Sequence, residues 1–522
     1  MRHSSPAALA AVLVLVSSCA VAGRRAPEPS SDAQIRIAVK QPSSLDPAHL
    51  NDPAAILVAR QVFETLVTFD PKTLALAPAL ADRWETLDNG SRFIFHLRPG
   101  VKFHNGRALL AEDVRFSLNR LAQRDTGSEV AYLLDQVAGY EAVNKAGTAA
   151  ELEGIRTIGD DAVEFRLIAP WFEFPYVLTN PATTPVPQAE FLANPETFRR
   201  TPIGLGPYKV KAANPAGGDF VLGRFDGYRG KKPSIASIAF LVYDQASSAW
   251  RDFESGLIDI AEAPPGSIAS AEAKYGKAGF SPVAAGIYIG FNVAKFPDIR
   301  IRRAVSLAIN RPSIAHEIYD NVLVPATGLT PPGLHGAPSA CGDYCRYDPG
   351  GAKALIAQVY PAGGVLPAGF DYQAGGPQDE FVKAIQTDLA EAGLSIVPQP
   401  ADLPGLYRKL DEKGHDIFRL GWAADYPRAD WFVAPMFRTG SQDNYTGFSR
   451  PDVDELIVKA RSEPNPKTRL QLYQQLEKKN LEDLSMIPIG HFRNHYAASA
   501  KVKNFYVDRL GGFQVSRFEI EP

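Results

Sequence analysis

The chain has 522 residues, with 55 basic against 58 acidic side chains and a formal net charge of −3. That balance lacks the basic footprint of a nucleic-acid-binding domain, and 45% apolar with 22% charged residues excludes extended disorder. At roughly 100–200 residues per domain the length predicts two to four domains, and no tandem repeat is visible.

At the N-terminus Arg2 and His3 precede an apolar stretch at 7–16, and small residues follow. This is the layout of a signal peptide, expected over 1–18. The apolar stretch is too short to span the roughly 30 Å hydrocarbon core as a helix. It ends in Val16-Ser17-Ser18-Cys19, which resembles a bacterial lipobox and makes Cys19 the expected lipidated first residue. An ordinary cleaved signal with an incidental cysteine is the alternative. Residues 19–33, rich in Pro, Ser and Ala, read as a tether to the membrane. No later segment is long and apolar enough to span a bilayer, so the mature body is expected to be soluble.

The body follows mixed α/β grammar. A strand at 35–39 precedes a helix at 55–66, with Pro53 near its start. A strand at 93–98 is closed by Pro99-Gly100, and a helix at 111–122 carries Glu112 and Asp113 in its first turn, where acidic groups complement the helix dipole. Strands are predicted at 163–168 and 235–243, and helical stretches at 301–309 and 312–319. A helix at 381–392 ended by Gly393, a strand at 395–397 and helices at 453–462 and 466–481 complete the series. Interleaved strands and helices predict α/β layers.

Motifs of bond-making chemistry are missing. No Gly-x-Ser-x-Gly elbow or Cys/His nucleophile arrangement stands out, and carboxylates are scattered. Gly204-Leu205-Gly206-Pro207 lacks the Lys-Ser/Thr ending of a phosphate loop; its glycines are expected to allow a turn with positive φ before a strand at 208–210. His96 and His104 read as strand and turn residues with local hydrogen bonds, Asn105-Gly106 as a tight turn. His491 and His495, beside Pro488 and Gly490, read as strand or loop. If Cys19 carries lipid, Cys341 and Cys345 remain as a pair; in an oxidising compartment a local disulfide is expected, half of a metal site with His335 being the alternative. No metal and no cofactor are expected.

Several pieces together resemble the oligopeptide/dipeptide-binding type of bacterial extracellular solute-binding proteins, family 5 of ABC-transporter binding proteins. They begin with Pro78-Ala79-Leu80-Ala81, Trp84-Glu85 and the run from Phe93-Ile94-Phe95-His96 through His104-Asn105-Gly106, then Ala111-Glu112-Asp113-Val114. Gly204-Leu205-Gly206-Pro207-Tyr208, Phe253-Glu254-Ser255-Gly256, Phe291-Asn292, Ala308-Ile309-Asn310-Arg311 and Tyr347-Asp348-Pro349 follow in the family's order. Gly421-Trp422 with Asp425-Tyr426-Pro427 closes it, so the resemblance spans about 35 to 510.

It implies an α/β, two-lobed periplasmic-binding-protein-like fold of type II with an extra α/β subdomain. Lobe I would take 34–75, 185–268 and 492–522, the subdomain 76–184 and lobe II 269–491, with hinge crossings near 268 and 491. It also implies a monomeric, non-enzymatic binder that closes on a peptide or other small solute. The closed form would dock on an ABC permease driven by an ATPase, held at the periplasm or cell surface by the N-terminal lipid.

For the site, the resemblance implies Asp425 as anchor of the ligand's α-ammonium, with Trp422, Ala423 and Tyr426 beside it; Asp425 capping a turn with Trp422 in the core is the alternative. Asn51 and Asp52 are implied near the ligand, or else form a helix N-cap pair ahead of Pro53. Tyr288 is implied where the chain crosses between lobes. Asp46 reads as a turn residue. The family often runs Asp-Tyr-Pro-Asp-Pro-Asp-Asn-Phe, whereas this chain has Asp425-Tyr426-Pro427-Arg428-Ala429-Asp430-Trp431-Phe432. Arg428 and Trp431 in the cleft would favour a more anionic or aromatic ligand; surface placement is the other reading. A non-peptide solute such as a metal chelate, haem, sugar or opine-like compound is the runner-up to a peptide.

Overall fold

The computed structural model describes residues 33–212, 218–334, 341–361 and 368–521. The expected signal peptide, Cys19, nearly all of the tether, and His335 lie outside them. Two six-stranded mixed sheets form the frame. The first runs Tyr496–Ala498, Ile260–Glu262, Gln34–Val39, Ser237–Val242, Phe220–Arg224, Tyr208–Ala212. The pairings on either side of Gln34–Val39 are parallel, with Ile37 opposite both Phe240 and Ile260. Ile35, Ile37 and Ile238 are fully buried there because helices cover the sheet. The second runs Leu323–Pro325, Met486–Arg493, Pro282–Phe291, Ile417–Ala423, Ala368–Gln373, Ile396–Ala401. A smaller antiparallel sheet, Ala81–Leu87, Arg92–Leu97, Ala162–Arg166, Ile155–Ile158, packs against the helix Ala111–Ala122 to make the extra subdomain.

The chain leaves the first sheet after Glu262, passes through the helix Ile268–Tyr275 and enters the second sheet at Pro282. It stays there through Arg493 and returns at Tyr496. The two crossing segments are tied together: Asn494 N–H donates to the Ser281 carbonyl (2.8 Å) and its side-chain amide to Ser281 Oγ (3.1 Å). Arg493 pairs with Glu272 beside them. Tyr288, expected at a crossing, lies instead inside the central strand Pro282–Phe291, paired across to Leu420 and Pro488.

Local expectations fail in three instructive places. The helix predicted to Leu66 is Pro53–Val62, because the Val62 carbonyl accepts from Gly206 N–H (2.8 Å) and Phe63 turns extended. Gly204 and Gly206 are not positive-φ residues. A Cβ on Gly204 would lie 2.1 Å from Val62 O, and one on Gly206 2.7 Å from Gln61 O, so these glycines serve close backbone approach. The helical stretch predicted at 312–319 is one turn, Arg311–Ser313, continued by a π-turn, Ile314–Ile318. Elsewhere Asp113 reaches back to accept from Leu110 N–H (3.0 Å) and fixes the start of its helix. Asp46 caps the turn Pro47–His49 and pairs, fully buried, with Arg120 across the lobe I–subdomain seam. Among the described residues no helix is long and apolar enough to cross a membrane.

Candidate functional site

The strand Ile417–Ala423 sits in the middle of the second sheet and delivers the next residues to the facing subdomain. Its end is locked by reciprocal indole bonds. Trp422 Nε1 donates to the Trp431 carbonyl (2.9 Å), and Trp431 Nε1 donates to the Ala423 carbonyl (2.7 Å). The two rings stack with centroids 5.5 Å apart, and Tyr132 of the subdomain stacks on Trp431 at 5.9 Å. Two residues beyond the strand, Asp425 Oδ2 accepts from the Tyr132 hydroxyl at 2.6 Å, and Asn180 Nδ2 donates to the Asp425 carbonyl at 3.3 Å. Subdomain and second lobe therefore meet at Asp425.

Among the described residues Asp425 forms no ion pair. Burial, reinforced by the negative Asp443, pushes its carboxyl up from 3.8 to about 6, although the Tyr132 hydrogen bond opposes the rise. An anionic carboxylate there is costly until a cation reaches it.

A cavity of about 280 Å³ opens beside this contact, between the subdomain and the second lobe. Tyr132, Asp135 and Trp171 wall one side; Tyr426, Trp431 and Asp443 wall the other. A larger cavity, about 560 Å³, is bounded by Glu64, Tyr228, Arg229 and Arg517, with no residue of the second sheet. Lobe closure cannot enclose a guest there, so the interlobe cavity is the candidate site.

Behind the cavity lies a buried ionic network. Arg461 donates to both oxygens of the fully buried Asp430 (2.9 and 2.8 Å), Tyr473 OH donates to Oδ1 (3.0 Å), and Tyr426 OH donates to Oδ2 (3.2 Å). Tyr426 thus shows the cavity its ring and keeps its hydroxyl in the network. Arg428 stands over the Tyr176 ring at 3.7 Å and 3.3 Å from Glu173, which Arg469 also approaches at 3.4 Å. It is spent between subdomain and lobe, and of the two departures from the family run only Trp431 lines the cavity.

The other expected residues fall elsewhere. Tyr288 is buried against Phe418 (6.0 Å) and shares a small cavity of about 20 Å³ with Trp422 and His491. Asp52 Oδ1 accepts from Ala55 N–H (2.9 Å) as the N-cap of Pro53–Val62, and Asn51 accepts from Ser43 Oγ (3.1 Å); neither lines the interlobe cavity. Cys341 and Cys345 are disulfide-bonded, their Cα atoms 5.7 Å apart. His96 bonds Glu85 (2.7 Å), and His104 bonds the Gly206 carbonyl (3.0 Å) and Gly204 N–H (3.1 Å); burial holds the His104 imidazole down near 4. His491 lies in the strand Met486–Arg493.

Sequence reasoning missed Tyr132, Asp135, Trp171 and Asp443. Tyr132 sits in the apolar run Val130-Ala131-Tyr132-Leu133-Leu134, which reads as core. Asp443 sits in a polar loop that reads as solvated surface. No local signal marks either one.

The family model for bacterial extracellular solute-binding proteins, family 5 (middle part), matches residues 75–444. The chain is 26% identical over 489 residues to the dipeptide-binding protein of Escherichia coli K12, covering 88% of this chain and 89% of that one. It is 27% identical over 498 residues to the glutathione-binding protein GsiB of Pectobacterium atrosepticum, covering 90% and 91%. Its fold matches HbpA2 of Haemophilus parasuis with a TM-score of 0.80 at 22% identity, over 94% of this chain and 100% of that one. Two lobes, an appended subdomain and an interlobe cavity agree with that match: the chain belongs to the bacterial extracellular solute-binding proteins of family 5, and by that membership is a binder, not an enzyme.

Proposed function

We propose that this protein captures short peptides between its lobes and delivers them to an ABC permease and its ATPase. The observation that carries the reading is Asp425. It is a carboxylate at the lobe–subdomain seam, without a cationic partner among the described residues, beside a walled cavity. A peptide's α-ammonium is the group that completes it, through a charge-assisted hydrogen bond in a water-poor site. The aromatic walls Trp431 and Tyr426, backed by Trp422 and the Ala423 carbonyl, are apolar surfaces for the guest. The names of the two sequence relatives, a dipeptide-binding and a glutathione-binding protein, support the same chemistry. Ligand that touches both sides favours the closed arrangement by its differential affinity.

In this reading lobe I comprises 34–75, 185–268 and 492–522, lobe II 269–491 and the subdomain 76–184. The chain works as a monomer, exported by residues 1–18 and anchored through lipid on Cys19 at the periplasm or cell surface. Mass spectrometry of ligand released from protein purified from its native source tests it. Free-amine peptides are expected; a metal chelate, haem, sugar or opine-like compound in their place would overturn the peptide assignment and leave the binding fold.

A further inference from the structure

We propose that the interlobe cavity selects a doubly cationic guest: its α-ammonium at Asp425, and a second ammonium or guanidinium between Asp443 and Asp135. The ligand class is a peptide with a basic N-terminal side chain. This rests on the peptide reading above and narrows it.

The carboxylates come from opposite walls. Asp135 and Glu141 belong to the subdomain, whereas Asp443 belongs to a loop of the second lobe. Asp425 is not itself a lining residue; its carboxylate accepts from the hydroxyl of Tyr132, which is. Of the cations in the wall, Arg461 is ion-paired with Asp430, and its charge also eases the buried Asp135 without an ion pair to it. Lys145 Nζ donates across the seam to Gln442 Oε1 (3.3 Å), not to a carboxylate. Lys145 and Arg438 are left against four carboxylates. Among the described residues neither Asp135 nor Asp443 forms an ion pair, and no group of three or more His, Cys, Asp and Glu could hold a metal ion; an organic cation fits between the two acids.

A second observation points the same way. Trp171 lines this cavity, is 4% exposed, and its Nε1–H has no hydrogen-bond partner. A buried indole donor without an acceptor is costly, and a peptide carbonyl beside the N-terminal residue supplies one. The guest therefore brings two cations and an acceptor, which is what a basic N-terminal residue carries.

The placement of the acids on both walls couples charge to closure. Closing dehydrates Asp443 against Asp135, and burial together with repulsion from Asp135 and Asp411, opposed by Lys145, pushes the Asp443 carboxyl up to about 6. A cation between them removes the cost in the closed state only, so it adds to closure as well as to affinity.

The test is calorimetry on the full chain at low ionic strength and pH 7.5, with Lys-Ala-Ala and the neutral isostere norleucine-Ala-Ala as probes. The lysine peptide is expected to bind at least tenfold tighter. In Asp443→Asn and in Asp135→Asn it weakens about tenfold, while the norleucine peptide binds more tightly as the repulsion is relieved; its binding also reports that each variant is folded. Equal affinities in the unmodified protein, or a lysine preference that survives both substitutions, overturn this inference and leave the peptide reading standing. Failure of both peptides to bind overturns the two together.

Discussion

Replacing Asp425 by Asn separates the cost of an unpaired carboxylate from its use. A folded-state carboxyl raised from 3.8 to about 6 holds its proton more tightly than the unfolded chain does. Its stabilising contribution is fully present below the unfolded value near 3.8 and is lost as pH rises through about 6. The shift corresponds to about 3 kcal/mol at most, and partial water access lowers the expectation to about 1–3 kcal/mol at pH 7. Asn keeps an oxygen for the Tyr132 hydroxyl and carries no charge. The variant should therefore be more stable than the parent at pH 7 and equal to it near pH 4. Urea unfolding followed by circular dichroism at the two pH values measures the gap. Calorimetry with Ala-Ala-Ala measures the other side: affinity should fall by about 2 kcal/mol or more, because a charge-assisted bond is lost. A variant no more stable at pH 7, or one with the same gap at both pH values, refutes the electrostatic account of the anchor.

Arg461→Met removes the bidentate partner of the fully buried Asp430; it should cost about 3–5 kcal/mol in urea unfolding, far more than a surface Arg→Met control. Gly204→Ala places a methyl against the Val62 carbonyl, which is backbone and cannot swing aside, so a loss of about 1–3 kcal/mol is expected by the same measurement. Glu477, buried under the chain at Leu329 and Thr330 whose N–H groups it accepts, has its carboxyl pushed up by burial to about 7. Its stabilising contribution is lost as pH rises through 7, so Glu477→Gln should stabilise the protein at pH 8.5 and change little at pH 5. Cys19→Ser should move the protein from the membrane to the soluble fraction on ultracentrifugation; unchanged fractionation sinks the lipid anchor.

Local periodicity and caps read off the chain predicted the helix Ala111–Ala122 to the residue and five of the six strands they placed to within two residues, because alternation and 3.6-residue spacing are properties of a segment and its own burial. Ordered motifs carried the family, and that resemblance marked Asp425 as a candidate anchor. Arg428 was not: its change of sign suggested a different ligand, yet Glu173 and the Tyr176 ring, some 250 residues away, absorb it. The end of the helix at Val62 also depended on a distant segment, the Gly204–Gly206 approach.

The chain alone carried its α/β class and most of its longer helices, since each follows from neighbours within a few residues, and its resemblance to a family marked Asp425 as a candidate anchor. Tertiary structure decided what surrounds that anchor. Tyr132 meets Asp425 across 293 residues, and Asp135, Trp171 and Asp443 reach the same cavity from separate lobes. They are brought there by the hinge and by the packing of the subdomain on the second lobe, and no local preference encodes a contact that forms only when two independently folded surfaces face each other.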